Sequence, residues 1–150
     1  SFLYSLVMDT YSFGYSSSGF TDMPMNHKVF LAQFDAIKKL ASEGPCVMVG
    51  RCADYALAEY KDCFSVFVHA DTDWRINRLS QKHNKTAKEA KDMINKTDKS
   101  RSSYYNYYTN KKWGAASSYN LCVDSSKLGI DGAAKAIIQA IEIFDSIKNK

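Results

Sequence analysis

The hydrophobic pattern predicts an amphipathic helix in the first part of the chain. Apolar residues recur at helical spacing between Asn26, a good helix N-cap, and the Gly44-Pro45 turn, where the pattern stops. The apolar face of this helix consists of Phe30, Phe34, Ile37 and Ala41. Upstream, residues 1–25 are rich in Ser, Tyr, Phe and Gly, which predicts irregular, mobile structure.

Three short apolar runs predict β-strands. They cover residues 46–49, residues 63–69 and residues 121–124, and their apolar residues are continuous instead of alternating with polar ones. Strands that are buried on both faces of a parallel sheet have this pattern. We therefore expect all three runs to be parallel strands of one sheet.

Helical patterns separate and follow these strands. Residues 53–60 form a short one, Asp71 is a strong helix start after the second run, and Thr86 opens a capping box with Glu89. Asp131 is the expected cap of the last helix. This alternation predicts an α/β protein in which helices cover both faces of a parallel sheet, a three-layer α/β/α architecture.

Length and composition indicate one soluble domain that spans residues 1–150. Apolar residues make up 45% of the chain and charged residues 24%, and no apolar run is long enough to cross a bilayer. The first residues lack the features of a signal peptide, so we expect a cytoplasmic protein. The four cysteines form no C-x-x-C pair, which favours buried, reduced thiols and no metal site.

The charge is unevenly distributed along the chain. The formal net charge is +4, yet residues 75–112 hold eleven Lys or Arg against three Asp or Glu, and the remainder holds nine against thirteen. A local positive field of this kind suits a phosphorylated partner. The alternative is a solvated helix face.

Charged residues follow the first predicted strand. In open parallel α/β sheets, ligands bind beyond the carboxyl ends of the strands. Gly50 permits a sharp turn there, and Arg51 offers a planar fork of donors that suits phosphate, with Asp54 close behind. The alternative is that Asp54 caps its helix and pairs with Arg51.

A second group of charges lies in the basic segment. Arg75 and Arg78 are three residues apart on a predicted helix and so point the same way, and Asp98 and Arg101 follow on the next one. Arginines on such a helical pair could close over phosphates. Each of them taken alone is equally compatible with an ordinary surface position.

Five motifs in the same order give the chain a resemblance to the cytidylate kinase-like family, relatives of the P-loop nucleoside-monophosphate kinases. The motifs are Val49-Gly-Arg-Cys-Ala-Asp54, Arg75-Ile-Asn-Arg78, Asp98-Lys-Ser-Arg-Ser-Ser-Tyr-Tyr105, Tyr108-Thr-Asn-Lys-Lys-Trp-Gly114 and Leu121-Cys-Val-Asp-Ser-Ser-Lys-Leu-Gly129. The resemblance covers the chain from about Asn26 to its end.

The resemblance implies a nucleotide kinase that uses ATP with Mg²⁺ and accepts a nucleoside monophosphate such as CMP. It implies that Arg51 contacts the acceptor phosphate and Asp54 the acceptor base. Residues 71–112 would form the lid, in which Arg75 and Arg78 act on the transferring phosphoryl group. Asp98 and Arg101 would contact the acceptor sugar and phosphate.

The donor site of this family has no counterpart in the sequence. The seven glycines include no G-x-x-x-x-G-K-[ST] loop, so no donor-binding residues are assigned and we expect the numbered chain to start partway through a longer protein. Two alternatives follow. One is a non-catalytic nucleotide-binding or interaction protein without the donor loop. The weaker one is a nucleic-acid surface between Tyr104 and Trp113, where aromatic and basic residues alternate.

Overall fold

The computed structural model describes residues 25–148. The chain divides into two compact units, Ser1–Cys63 and Phe64–Lys150. The irregular structure predicted for residues 1–25 lies outside the described residues except at Met25, which is helical. The prediction of a single domain stays a prediction.

Within the described residues, the first unit contains two helices, α1 (Met25–Glu43) and α2 (Ala53–Ala56). Ile37 of α1 packs with Ala56 and Leu57 in a small buried cluster, on which partly buried apolar side chains rest. These are Phe34, Ala41, Met48, Ala53 and Cys63. The amphipathic helix is therefore confirmed, but Asn26 lies within it and is not its N-cap.

The strand predicted at residues 46–49 is wrong. The segment has no regular secondary structure, and Val47 and Val49 are 94% and 90% exposed. A strand needs a neighbouring strand for its backbone hydrogen bonds. Within residues 25–148, the sheet consists of two other strands. An apolar run shows that a segment can be a strand, but it does not supply the partner.

The second unit contains a small parallel sheet. Strands β1 (Val66–His69) and β2 (Leu121–Asp124) pair in parallel, with Val66 opposite Leu121 and His69 opposite Asp124. Two of the three predicted strands are thus confirmed, the first of them shorter than residues 63–69. The protein is a mixed α/β structure, mostly helical, with two described strands in place of the three that were predicted.

Within residues 64–148, this unit contains three helical segments. They are α3 (Thr72–His83), α4 (Ala87–Thr109) and α5 (Ser125–Lys148), and a short 3₁₀ turn at Ala116–Ser118 precedes β2. Helices α3 and α4 pack against each other as a hairpin, and α5 contacts both strands. No helix within residues 25–148 is long and apolar enough to cross a bilayer.

The starts of these helices follow largely from local sequence. Thr86 and Glu89 form the predicted capping box: the Glu89 backbone N–H donates to Thr86 Oγ1 (3.3 Å), and the Thr86 N–H donates to Glu89 Oε2 (2.8 Å). Hydrogen bonds from Thr86 lower the pKa of Glu89. Gly129 (φ 69°, ψ 174°) is non-helical and divides α5 into a short first part and a long second part, so Asp131 lies just inside the start of the long part and is not its cap.

Aromatic rings pack around Phe67 of β1. Trp113 meets this ring edge-on with centroids 5.4 Å apart, and Tyr119 lies against it at 5.0 Å. Gly114 has φ 76°, and a Cβ at that position would lie 3.1 Å from Phe67 Cζ. The segment between α4 and β2 therefore packs closely against β1.

Candidate functional site

The turn before α2 has a strained backbone. Gly50, Arg51 and Cys52 have φ angles of 71°, 58° and 57°, so three consecutive residues are left-handed and two of them carry a Cβ. Left-handed backbone costs roughly 1–2 kcal/mol for a residue other than glycine. Strain of this kind is concentrated at ligand-binding positions in proteins, and Arg51 lies exposed in the middle of it.

One interpretation of the sequence was that Asp54 caps its helix and forms an ion pair with Arg51. The structure does not contain this ion pair. No salt bridge joins the two side chains in the described part of the chain. Cys52 occupies the N-cap position of α2, and Asp54 lies in its first turn. The alternative, in which Asp54 caps the helix and neutralises Arg51, is therefore wrong.

The cysteines of this unit differ in exposure. Cys52 is buried, as predicted, but Cys46 is exposed because residues 46–49 do not form a strand. Burial, helped by the charge of Asp54, raises the pKa of the Cys52 thiol to about 11. Burial, followed by the charges of Asp54 and Cys46, raises the pKa of Cys63. Cys52 is thus a protonated, unreactive thiol at neutral pH.

This difference predicts the order of alkylation. Iodoacetamide at pH 8 is expected to modify Cys46 at least about a hundredfold faster than Cys52, because Cys46 is exposed whereas Cys52 is buried and has a raised pKa. Peptide mass spectrometry over a time course measures both rates in the folded protein. Equal rates would contradict the burial of Cys52.

The structure brings Arg75, Asp98 and Arg101 together on the α3–α4 hairpin. Arg75 binds Asp98 through both terminal nitrogens, Nη1 to Oδ2 at 2.7 Å and Nη2 to Oδ1 at 2.9 Å. Arg101, one helical turn beyond Asp98, places Nη1 3.7 Å from Oδ1. Two guanidinium groups therefore share one carboxylate.

Arg78 is held differently from Arg75. Its guanidinium carbon lies 5.5 Å from the centroid of the Trp74 ring, four residues earlier on α3, which is a cation–π contact. The sequence contains a signal for this contact, since Trp74 and Arg78 have the i, i+4 spacing of neighbours on one helix face. Our prediction did not include it.

The carboxyl ends of β1 and β2 carry a polar network. Lys127 Nζ pairs with Asp71 Oδ2 at 3.0 Å, and the Asp71 N–H donates to Ser126 Oγ. Asp124 accepts from the N–H and the hydroxyl of Ser126, and these bonds lower the pKa of Asp124. Asp71 raises the pKa of Lys127 in turn. Asp71 stands at the N-cap position of α3 without a side-chain capping bond.

The tyrosine-rich end of α4 contains both packed and exposed rings. Tyr105 is buried and Trp113 packs on Phe67, whereas Tyr107 is 69% exposed. Packing between neighbouring elements thus accounts for two of the aromatic residues considered for nucleic-acid stacking. The ring of Tyr108 contacts those of Tyr104 and Tyr107, with centroids 4.8 and 4.9 Å apart, so these three tyrosines form a partly exposed cluster.

The predicted site residues fall into two groups. Arg51 and Asp54 belong to the first unit, and Arg75, Arg78, Asp98 and Arg101 belong to the second. The segment before Arg51 is not a strand, so Arg51 does not stand at the end of one.

Comparison with known proteins adds a family and a structural neighbour. The model of the cytidylate kinase-like family matches residues 1–127. The crystal structure of an uncharacterized protein from Eubacterium ventriosum is similar, with a TM-score of 0.75 and 25% sequence identity over 94% of this chain and 90% of that one. No curated protein matches the chain.

Proposed function

Because the chain belongs to the cytidylate kinase-like family, we propose that the protein transfers a phosphoryl group from ATP to a nucleoside monophosphate such as CMP. The observation that supports this proposal best is the arrangement of Arg75 and Arg101 around Asp98 on a basic helical hairpin. Phosphoryl transfer depends mainly on positioning and on neutralising negative charge. Guanidinium groups fixed at one place on the protein serve both purposes.

In this proposal, the first unit holds the acceptor. Arg51 binds its phosphate, because the guanidinium is exposed and no ion pair with Asp54 neutralises it within the described residues. The strained turn that carries Arg51 supports this role, since strain is retained where the surrounding structure or a function requires it. Asp54 contacts the acceptor base.

The second unit supplies the lid, residues 71–112. Arg75, Arg78 and Arg101 offset the charge that develops on the moving phosphoryl group. Arg75 and Arg78 are each held by a neighbour, Asp98 and Trp74 respectively, which reduces the reorganisation needed when the substrate binds. The resemblance also suggests that Asp98 contacts the acceptor sugar.

The donor side of the reaction has no assigned residues in this chain. The sequence contains no G-x-x-x-x-G-K-[ST] loop. Family membership suggests that a nucleotide and a metal are used, but residues 25–148 contain no group of three or more potential metal ligands. Asp71, one candidate ligand, is already paired with Lys127. Mg²⁺ is usually held by one or two carboxylates together with waters and substrate phosphates, so no residue of this chain is assigned to it and no step is assigned to a metal.

The wider architecture belongs to the same proposal. We expect the two-stranded sheet to be part of a three-layer α/β/α fold of the P-loop-kinase type, with the protein in the cytoplasm. An alternative function is that of a non-catalytic nucleotide-binding or interaction protein. In this alternative, the protein keeps the acceptor site and has no donor loop.

Thermal denaturation with a panel of nucleotides tests whether the site recognises a phosphate. CMP at a hundred times its dissociation constant is expected to raise the free energy of unfolding by about 2.7 kcal/mol. Cytidine at the same concentration should produce a much smaller increase, because it lacks the group that Arg51 binds. Equal stabilisation by CMP and cytidine would contradict the proposed acceptor site.

A further inference from the structure

We infer that Asp98 is a positioning residue that fixes the guanidinium group of Arg75 for phosphoryl transfer. This inference rests on the proposed function, and it gives Asp98 a role other than contact with the acceptor sugar. It is based on the two-point contact between Asp98 and Arg75 and on the position of Arg101 beside the same carboxylate.

The geometry of the pair determines the orientation of Arg75. The two terminal nitrogens face the two carboxylate oxygens at 2.7 and 2.9 Å, so the plane of the guanidinium is fixed relative to α4. A guanidinium has five N–H donors, and the pair uses two of them. Three donors remain for the oxygens of a phosphoryl group, and their directions are set by Asp98.

The same contacts occupy Asp98. Each of its oxygens is bound to Arg75, and Oδ1 also faces Arg101 at 3.7 Å. The side chains of Arg75 and Asp98 are only 31% and 24% exposed, so water replaces these contacts poorly. A sugar hydroxyl would have to share oxygens that are already bound.

The negative charge of Asp98 also reduces the repulsion between Arg75 and Arg101. Arg75 and Arg101 carry two positive charges on neighbouring helices, and the carboxylate between them reduces the group to a net charge of +1. Without the carboxylate, the two guanidinium groups would repel each other and turn toward solvent. Asp98 therefore offsets the repulsion between the two cations while leaving a positive charge for the substrate.

The primary test compares Asp98→Asn with Asp92→Asn in assays of phosphoryl transfer from MgATP to CMP. Asp92 is an exposed aspartate on the same helix, so the control makes the same change in charge. Asp98→Asn should lower kcat at least tenfold and change the KM for CMP less than threefold, while Asp92→Asn stays within twofold of the unmodified protein. A tenfold rise in KM for CMP with kcat unchanged, and no such rise for dCMP, would establish a sugar contact and overturn the inference.

A double-mutant cycle determines whether Asp98 acts through Arg75. If it does, the double variant Arg75→Gln/Asp98→Asn should be within about twofold of Arg75→Gln alone in kcat. Losses that multiply would show that Asp98 acts independently of Arg75 and would contradict the inference.

An NMR measurement tests the positioning without any activity. In the unmodified chain, the bound guanidinium of Arg75 should rotate slowly and give separate terminal-nitrogen signals, which should merge in Asp98→Asn but stay separate in Asp92→Asn. Separate signals in Asp98→Asn would overturn the inference. If the separate signals merge in Asp98→Asn and the unmodified chain has no turnover, the positioning role of Asp98 is supported and the proposed function is rejected.

Discussion

Arg51→Lys is expected to weaken CMP binding at least about tenfold, which corresponds to 1.4 kcal/mol, while the melting temperature stays nearly unchanged. Lysine keeps the positive charge but cannot make the planar two-point contact of a guanidinium with a phosphate. Arg51 is exposed and, in the described part of the chain, has no salt bridge to lose. Isothermal titration calorimetry and thermal denaturation measure the two effects, with the exposed Lys61→Arg as a control.

Arg51→Gly separates the strain of the turn from the chemistry of the side chain. Glycine adopts φ 58° without the steric penalty of a Cβ, so the free energy of unfolding should be unchanged or rise by up to about 1 kcal/mol. Arg51→Gly should weaken CMP binding at least as much as Arg51→Lys does. If either substitution instead lowers the melting temperature and leaves binding alone, Arg51 has a structural role and the acceptor site lies elsewhere.

Gly114→Ala is expected to lower the free energy of unfolding by about 2–4 kcal/mol. Part of the loss comes from placing a Cβ at φ 76°, which costs roughly 1–2 kcal/mol. The remainder comes from the new methyl group, which would lie 3.1 Å from Phe67 Cζ and costs about 1–2 kcal/mol of overpacking. Chemical denaturation measures the sum.

A second variant isolates the contact with Phe67. In a Phe67→Leu background the ring is absent, so Gly114→Ala should cost about 1 kcal/mol less than it does in the unmodified chain. An identical cost in both backgrounds would show that backbone strain accounts for the whole loss. The close approach between the Trp113–Gly114 turn and β1 would then have no energetic role.

The sequence-based predictions were correct where the residues that determine the structure are close together in the chain. The capping box at Thr86, the start of α3 after Asp71 and the strand Leu121–Asp124 are encoded within a few residues, and all three are confirmed. Residues 46–49 have an equally apolar pattern but no partner strand among the described residues. A strand is a property of two chain segments, so one segment was insufficient evidence.

The contacts of the candidate site also divide into those between residues close in the chain and those between distant residues. Asp98 and Arg101 are three residues apart on one helix, and their proximity follows from that spacing. The pairing of Arg75 with Asp98 spans 23 positions and depends on how α3 packs against α4, which no periodicity reveals. The left-handed backbone at Arg51 and Cys52 could not be predicted either, because residues with a Cβ rarely adopt it.

The most direct test of the account is a turnover measurement on the protein purified from its native source. The protein is incubated with MgATP and each nucleoside monophosphate, and the nucleotides are separated and quantified over time. We predict that one monophosphate is converted to its diphosphate with one ADP formed per product, and that Arg75→Gln lowers the rate at least tenfold. Binding of a monophosphate with no diphosphate formed would contradict the proposed kinase activity and would favour the non-catalytic nucleotide-binding protein.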